Sequence, residues 1–283
     1  MIDPATRIGA VHLTIASLDR SIRFYQSRLG FAVHRREKGT AWLGAAGQDL
    51  LVLTEEPGAA RSHGTTGLYH FAILVPSRLD LARSLRRLVS TETAMQGAAD
   101  HGVSEALYLA DEDGNGIEIY RDRPRSEWPY ADGRLHMGTD PLDFQSLLDE
   151  PGADRDGEEG LTAPTVIGHV HLHVSHLEAA HRFYVDVLGM EPMQRYGPSA
   201  LFVSAGGYHH HVGLNTWAGV GAPPPPPGAI GLRYFEVAFG DTTVRESAVD
   251  RLQAAGIATA SAEHGLSVRD PAGNTILLTS GRH

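Results

Sequence analysis

Two histidines and one glutamate sit in short alternating segments that would turn all three toward a polar face: His12, His70 and Glu118. In segment 11–15, His12 and Thr14 share one face, and Val11, Leu13 and Ile15 share the other, as in a half-buried strand. In GLYHFAI (67–73), His70 shares a face with Ala72, while Phe71 and Ile73 point the opposite way. Glu118 shares a face with Tyr120, opposite Ile117 and Ile119. Two imidazoles and a carboxylate are a set that holds a divalent metal and leaves positions open for reactants. Three protein ligands, rather than four, favour a reactive centre over a closed structural one. The chain has no cysteine, so disulfides, thiolate catalysis and thiolate-bound metal are excluded. Imidazole and carboxylate suit Fe(II), with Mn(II), Zn or Ni as alternatives.

The elements that must position these residues emerge from an internal repeat. VHLTIASLDRSIRFYQSRLGF (11–31) returns as VHLHVSHLEAAHRFYVDVLGM (170–190), so that His12 aligns with His171 at an offset of 159. DEDGNGIEIY (111–120) aligns with DPAGNTILLT (270–279) at the same offset, and GLYHFAI with GLRYFEV (231–237) at 164. The proline run Pro223 to Pro227 accounts for the difference of five. Each half divides again. A strand at 11–15 precedes Leu18, Ile22, Tyr25 and Leu29 at helical spacing, with Gly30 as a helix-ending glycine. Strand, helix and strands then recur from Tyr69 to Tyr120. Four βαβββ modules result, at about 8–56, 67–122, 166–216 and 231–280. The intervening stretch 123–165 reads as a connector, with a short capped helix over 140–148 and an acidic, apolar-poor run over 151–160 expected to be mobile.

Bulk composition limits what such a chain can bind. It has 283 residues, 42% hydrophobic and 20% charged, enough for two domains with ordinary cores. A net charge of -10 without a basic run disfavours nucleic acid and anionic membrane as partners. There is no apolar stretch of membrane-spanning length and no export signal, so a cytoplasmic protein is expected.

The pattern HLxxxxLxxSxxFYxxxLGF from His12 to Phe31, with YHFAI and GNGIEIY downstream, resembles the vicinal-oxygen-chelate superfamily. That group includes glyoxalase I, bleomycin- and fosfomycin-resistance proteins and type I extradiol dioxygenases. The resemblance covers both halves, and the four-module length is that of the dioxygenases. It implies an α+β fold in which modules pair into two domains, each a cupped mixed sheet with helices on its outer face. The expected domains are 1–122 with the metal site, the connector 123–165, and 166–283 without a complete ligand set. By the same resemblance His12, His70 and Glu118 would hold Fe(II). His101, in the segment His101-Gly102-Val103-Ser104, would transfer protons and bind substrate. Tyr108, ten residues before Glu118, would contact a substrate oxygen. The implied reaction is extradiol cleavage of a small aromatic diol by dioxygen, with assembly into a homo-oligomer left open.

Two departures from that pattern stand out. The family's familiar dioxygenases keep iron in the C-terminal half, whereas here Tyr234 and Leu277 replace two of its ligands there, leaving His171. A further catalytic histidine belongs on the last strand of the odd-numbered module, where the first half offers Leu50 and Leu51 and the second half His209, His210 and His211. Those three histidines suit a second ligand site or a polar strand. The rival activities are a metal-dependent glyoxalase-type isomerase, lyase or thiol transferase, and a non-catalytic small-molecule binder. Leu51 and Val52, standing where glyoxalase-type proteins carry a carboxylate or amide, count against the first. The complete His12/His70/Glu118 set counts against the second.

Overall fold

A computed structural model describes residues 1–153 and 160–280. The first module runs β1 (Arg7–Ile15), α1 (Leu18–Leu29), β2 (Ala32–Glu37), β3 (Thr40–Ala45) and β4 (Gln48–Glu55). The second runs β5 (Gly67–Leu74), α2 (Arg78–Ser90), β6 (Met95–Asp100), β7 (Ser104–Ala110) and β8 (Gly116–Asp122). The connector carries a single 3-10 turn at Arg125–Glu127, the hairpin β9 (Tyr130–Ala131) and β10 (Arg134–Leu135), and α3 (Phe144–Leu148). The third module has β11 (Val166–His173), α4 (Leu177–His181), β12 (Glu191–Tyr196), β13 (Ala200–Ser204) and β14 (Val212–Asn215). In it α4 continues as a π-helical segment, Arg182–Val187. The fourth has β15 (Gly231–Phe239), α5 (Thr242–Ala254), β16 (Thr259–Ala262), β17 (Gly265–Arg269) and β18 (Thr275–Ser280).

The modules do not pair in chain order. One eight-stranded sheet has the order β16-β17-β18-β15-β1-β4-β3-β2, so the first module joins the fourth. The other has the order β12-β13-β14-β11-β5-β8-β7-β6, joining the second to the third. Each sheet therefore takes four strands from each half, which corrects the expectation of an N-terminal and a C-terminal domain each closing on itself. The physical reason is that all four first strands offer equivalent edges, and the partner is fixed by fit at the seam. At the β1/β15 seam His12 faces Tyr234, and at the β5/β11 seam His70 faces His171. Gly9 and Gly168 show how tight the fit is. A Cβ at Gly9 would come within 2.8 Å of the Glu236 side chain, and one at Gly168 within 1.8 Å of the Tyr120 hydroxyl.

Alternation sorts each strand. Val11, Leu13 and Ile15, Phe71 and Ile73, Ile117 and Ile119, and Val170 and Leu172 join the helices in one hydrophobic core. Helix α1 contributes Leu18, Phe24, Tyr25 and Leu29, and ends at Gly30 with φ 79°, where the Gly30 and Phe31 N–H groups bond back to Gln26 and Tyr25 carbonyls. The polar residues of each strand are left on the concave side of its sheet. In α3, the Asp143 side chain caps the first turn by accepting from Ser146 N at 2.9 Å. Most of the acidic run expected to be mobile, 154–159, lies outside the described residues. Among the described residues no helix is long and apolar enough to cross a membrane.

A buried pin ties the modules of each half together. The Tyr25 hydroxyl donates to Asp111 Oδ2 at 2.8 Å. Asp111 also accepts from the Asp113 and Asn115 amides and from Asn115 Nδ2, which closes the DEDGN turn. Tyr184, Asp270 and Asn274 repeat the arrangement in the second half. Tyr25→Phe removes one hydrogen bond to a carboxylate that keeps three N–H donors. A loss of about 1–2 kcal/mol is expected, read as a lower urea midpoint at constant m. An unchanged midpoint would show that the pin carries no stability.

Candidate metal centre

The second sheet builds a concave site from four adjacent strands. Its register sets Tyr108 of β7 beside Glu118 of β8, Glu118 beside Ala72 of β5, and Ala72 beside His169 of β11. Ala72 is the only small side chain in this row, and it lets Glu118 and His169 meet across β5. Glu118 Oε2 lies 3.1 Å from His169 Nε2. It also lies 3.1 Å from Nε2 of His70, which stands one row further along β5. All three residues are buried, and their ligand atoms lie within 4.8 Å of one another.

The chemistry of this group fits a divalent cation. His70 Nε2 is buried without a hydrogen-bond partner, despite its closeness to Glu118. Burial pushes Glu118 upward, but the imidazoles of His169 and His70 override it and hold the carboxyl well below its ordinary value. Burial likewise lowers His169 to about 4, against the opposing pull of Glu118. An ionised carboxylate beside a neutral imidazole is the protonation state that metal binding requires.

The structure brings His70 and Glu118 together but not His12. His12 belongs to the other sheet, where its Nε2 is 3.5 Å from Glu236 Oε1 and its ring stacks on Tyr234 at 3.8 Å. His12 is excluded from the site because β1 pairs with β15, so β5 receives β11 instead. The histidine that completes the set, His169, stands two residues before the repeat equivalent of His12, which is His171. In the repeat, His169 aligns with Ala10 rather than with a histidine, so the first half has no counterpart to it. The available signal was VIGHVHLH itself, whose alternation turns His169, His171 and His173 to one face.

His101 and Tyr108 adjoin the group. The Tyr108 ring is 5.7 Å from that of His70, and its hydroxyl is 2.7 Å from His101 Nε2. His101 Nδ1 is 2.7 Å from the carbonyl oxygen of Gly138. A carbonyl only accepts, so Nδ1 carries the proton and Nε2 accepts from the Tyr108 hydroxyl. Burial, then the neighbouring Glu118 charge, raises Tyr108 well above the ordinary phenol value.

His209, His210 and His211 precede β14 rather than lying in it, and all three are turned inward. The His210 ring lies 4.1 Å from that of His169, between His169 and Phe202. His211 Nδ1 accepts from the Ala205 amide at 3.1 Å. The connector also contributes, which its sequence did not disclose. Gly138 anchors His101, the Trp128 ring lies 5.5 Å from that of His209, and the Met137 backbone is held by the Gln194 amide. Leu50 and Leu51 are core residues of the other sheet and have no bearing on this site.

Comparison with known proteins agrees with this architecture. The model of the Glyoxalase/Bleomycin resistance protein/Dioxygenase superfamily matches twice, at residues 7–119 and 166–278. "Catechol-2,3-dioxygenase" of Bacillus subtilis (strain 168) is 48% identical over 271 residues, 94% of each chain. Glyoxalase I from Zea mays shares the fold, with a TM-score of 0.60 at 17% identity over 98% of this chain and 92% of that one. A solved structure from Bacillus subtilis subsp. subtilis str. 168 does so with a TM-score of 0.66 at 13% identity, over 99% and 86%. Two family matches spanning most of the sequence, and a relative this similar along nearly all of it, show that the chain belongs to the glyoxalase/bleomycin resistance protein/dioxygenase superfamily.

Proposed function

We propose that the chain is an Fe(II)-dependent extradiol dioxygenase that opens the ring of a catechol-like diol, with iron held by His70, Glu118 and His169. The observation that carries this reading is the meeting of those three side chains beside the His101–Tyr108 pair. The catechol dioxygenase relative, 48% identical, supports it independently. Iron bound there would supply Lewis acidity toward a diol and electron transfer toward dioxygen. The protein's residues supply the rest. Tyr108 donates its own proton to His101, which leaves its oxygen free to accept a hydrogen bond from a diol hydroxyl. His101 Nε2, fixed as an acceptor by Gly138, is the base behind it. His210, against the His169 ring, is the second histidine of the site, in the role that Leu50 and Leu51 could not fill. The buried floor of Ala72, Ala106 and Tyr120 excludes water.

The test is oxygen uptake after anaerobic loading with Fe(II). With catechol or a substituted catechol, uptake of dioxygen should accompany a product cleaved beside its hydroxyls. Absence of uptake across the panel would transfer the site to isomerase or lyase chemistry. Binding of catechols without any turnover would make it a sequestering protein.

A further inference from the structure

Behind His210 runs a hydrogen-bonded line that the ring-cleavage reading does not use. Asp122 Oδ1 lies 2.9 Å from His209 Nε2, and His209 Nδ1 lies 2.8 Å from His210 Nδ1. Asp122 Oδ1 also accepts from the Tyr208 hydroxyl at 3.1 Å, and Tyr208 meets the Tyr120 hydroxyl at 2.7 Å. His209 is completely buried, wedged between the Tyr208 and Trp128 rings. His210 Nε2 has no hydrogen bond to any described residue.

With both imidazoles neutral, the line has one self-consistent direction. A carboxylate accepts and does not donate, so the nitrogen of His209 that faces Asp122 must carry hydrogen. In a neutral imidazole the other nitrogen, Nδ1, is then an acceptor. Two nitrogens 2.8 Å apart share one proton, so His210 Nδ1 is the donor. The remaining nitrogen of His210, Nε2, is left with its lone pair. We propose that Asp122 and His209 are positioning residues that hold His210 in the tautomer whose Nε2 is a ready proton acceptor beside the metal centre. The reactive step this serves rests on the ring-cleavage reading. A diol O–H bond breaks, an N–H bond forms at His210 Nε2, and the electron pair stays on oxygen.

The two flanks of the site are then built alike. His101 has Nδ1–H tied to the Gly138 carbonyl and Nε2 left to accept. His210 has Nδ1–H tied to His209 and, through it, to Asp122. One imidazole takes its orientation from the connector backbone and the other from a side-chain line, with the same outcome at both Nε2 atoms.

The tautomer can be read directly. In full-length protein reconstituted with diamagnetic Zn(II) and labelled with 15N-histidine, His210 should show the Nδ1–H pattern. Asp122→Asn offers His209 a donor as well as an acceptor, so the line loses its direction. His210 should then shift toward Nε2–H, while Asp122→Glu restores the native pattern. With Fe(II), Asp122→Asn should lower kcat for catechol cleavage by about 10²-fold, with KM and metal content near wild type. In hydrolase triads a wrong tautomer alone has cost roughly 10⁴-fold. Finding Nε2–H on His210 in the wild type overturns the proposal without any variant. So does an Asp122→Asn protein with native tautomer and kcat. The tautomer is measurable whether or not the protein consumes oxygen, so failure here is distinct from failure of the dioxygenase reading.

Discussion

His169→Ala should lose its metal, and His12→Ala should keep it. Elemental analysis after dialysis against a mild chelator is the measurement, with circular dichroism to show that both variants are folded. His169 contributes one of three converging ligand atoms, while His12 stacks on Tyr234 in the other sheet. Loss of a partner in the surrounding shell commonly weakens a metal by roughly 10–100-fold. Loss of a ligand itself should exceed that, and Glu118→Ala should behave as His169→Ala does. Glu118→Ala also leaves two buried imbalanced imidazoles, so Glu118→Gln, which preserves volume, is the better control for folding. The contrast between the two histidines decides the assignment. Metal lost from His12→Ala and retained by His169→Ala would return the centre to the first strand of the chain.

That contrast also marks where sequence reasoning stopped. The repeat was legible because each module needs the same strand and helix faces, and because Tyr25 with Asp111 and Tyr184 with Asp270 close the same turn twice. His70 and Glu118 were legible because alternation within one module fixes which side each residue takes. His101 and Tyr108 were read through the resemblance, from the His101-Gly102-Val103-Ser104 segment and the ten-residue spacing of Tyr108 to Glu118. The choice of partner strand was not legible. β1, β5, β11 and β15 offer interchangeable edges, and the difference between them lies in contacts such as Gly9 against Glu236 that form only after pairing. His12 and His171 align in the repeat, whereas His169 aligns with Ala10, so the repeat did not point to a ligand at His169. The edge strands β2 and β6 were faint for another reason. Their sequences, AVHRRE and MQGAAD, carry little apolar alternation, and β2 is mostly and β6 half exposed. The connector's role was hidden because it acts through backbone groups, as at Gly138, and a carbonyl has no signature in sequence.

His101→Ala should leave metal content near wild type and lower kcat by about 10²–10⁴-fold, the usual contribution of a general acid–base group. Metal should remain because, among the described residues, the hydrogen bonds of the His101 ring go to Tyr108 and Gly138 rather than to Glu118. His210→Ala should produce a loss of the same order, since it removes the acceptor on the opposite flank. Tyr108→Phe should cost less, about 10-fold, because it deletes one hydrogen bond and leaves the His101 imidazole in place. The two effects on that flank should not add. His101 Nε2 and the Tyr108 hydroxyl are 2.7 Å apart, so once His101 is gone the Tyr108 proton has lost its acceptor. The double variant should therefore be scarcely slower than His101→Ala alone, whereas His101→Ala combined with His210→Ala should be much slower than either. Single-turnover oxygen uptake in iron-loaded protein separates these rates from substrate binding and product release. Full additivity of His101→Ala with Tyr108→Phe would mean that the two residues act independently on the substrate. Loss of metal from His101→Ala would make His101 a ligand and displace the arrangement described for the centre.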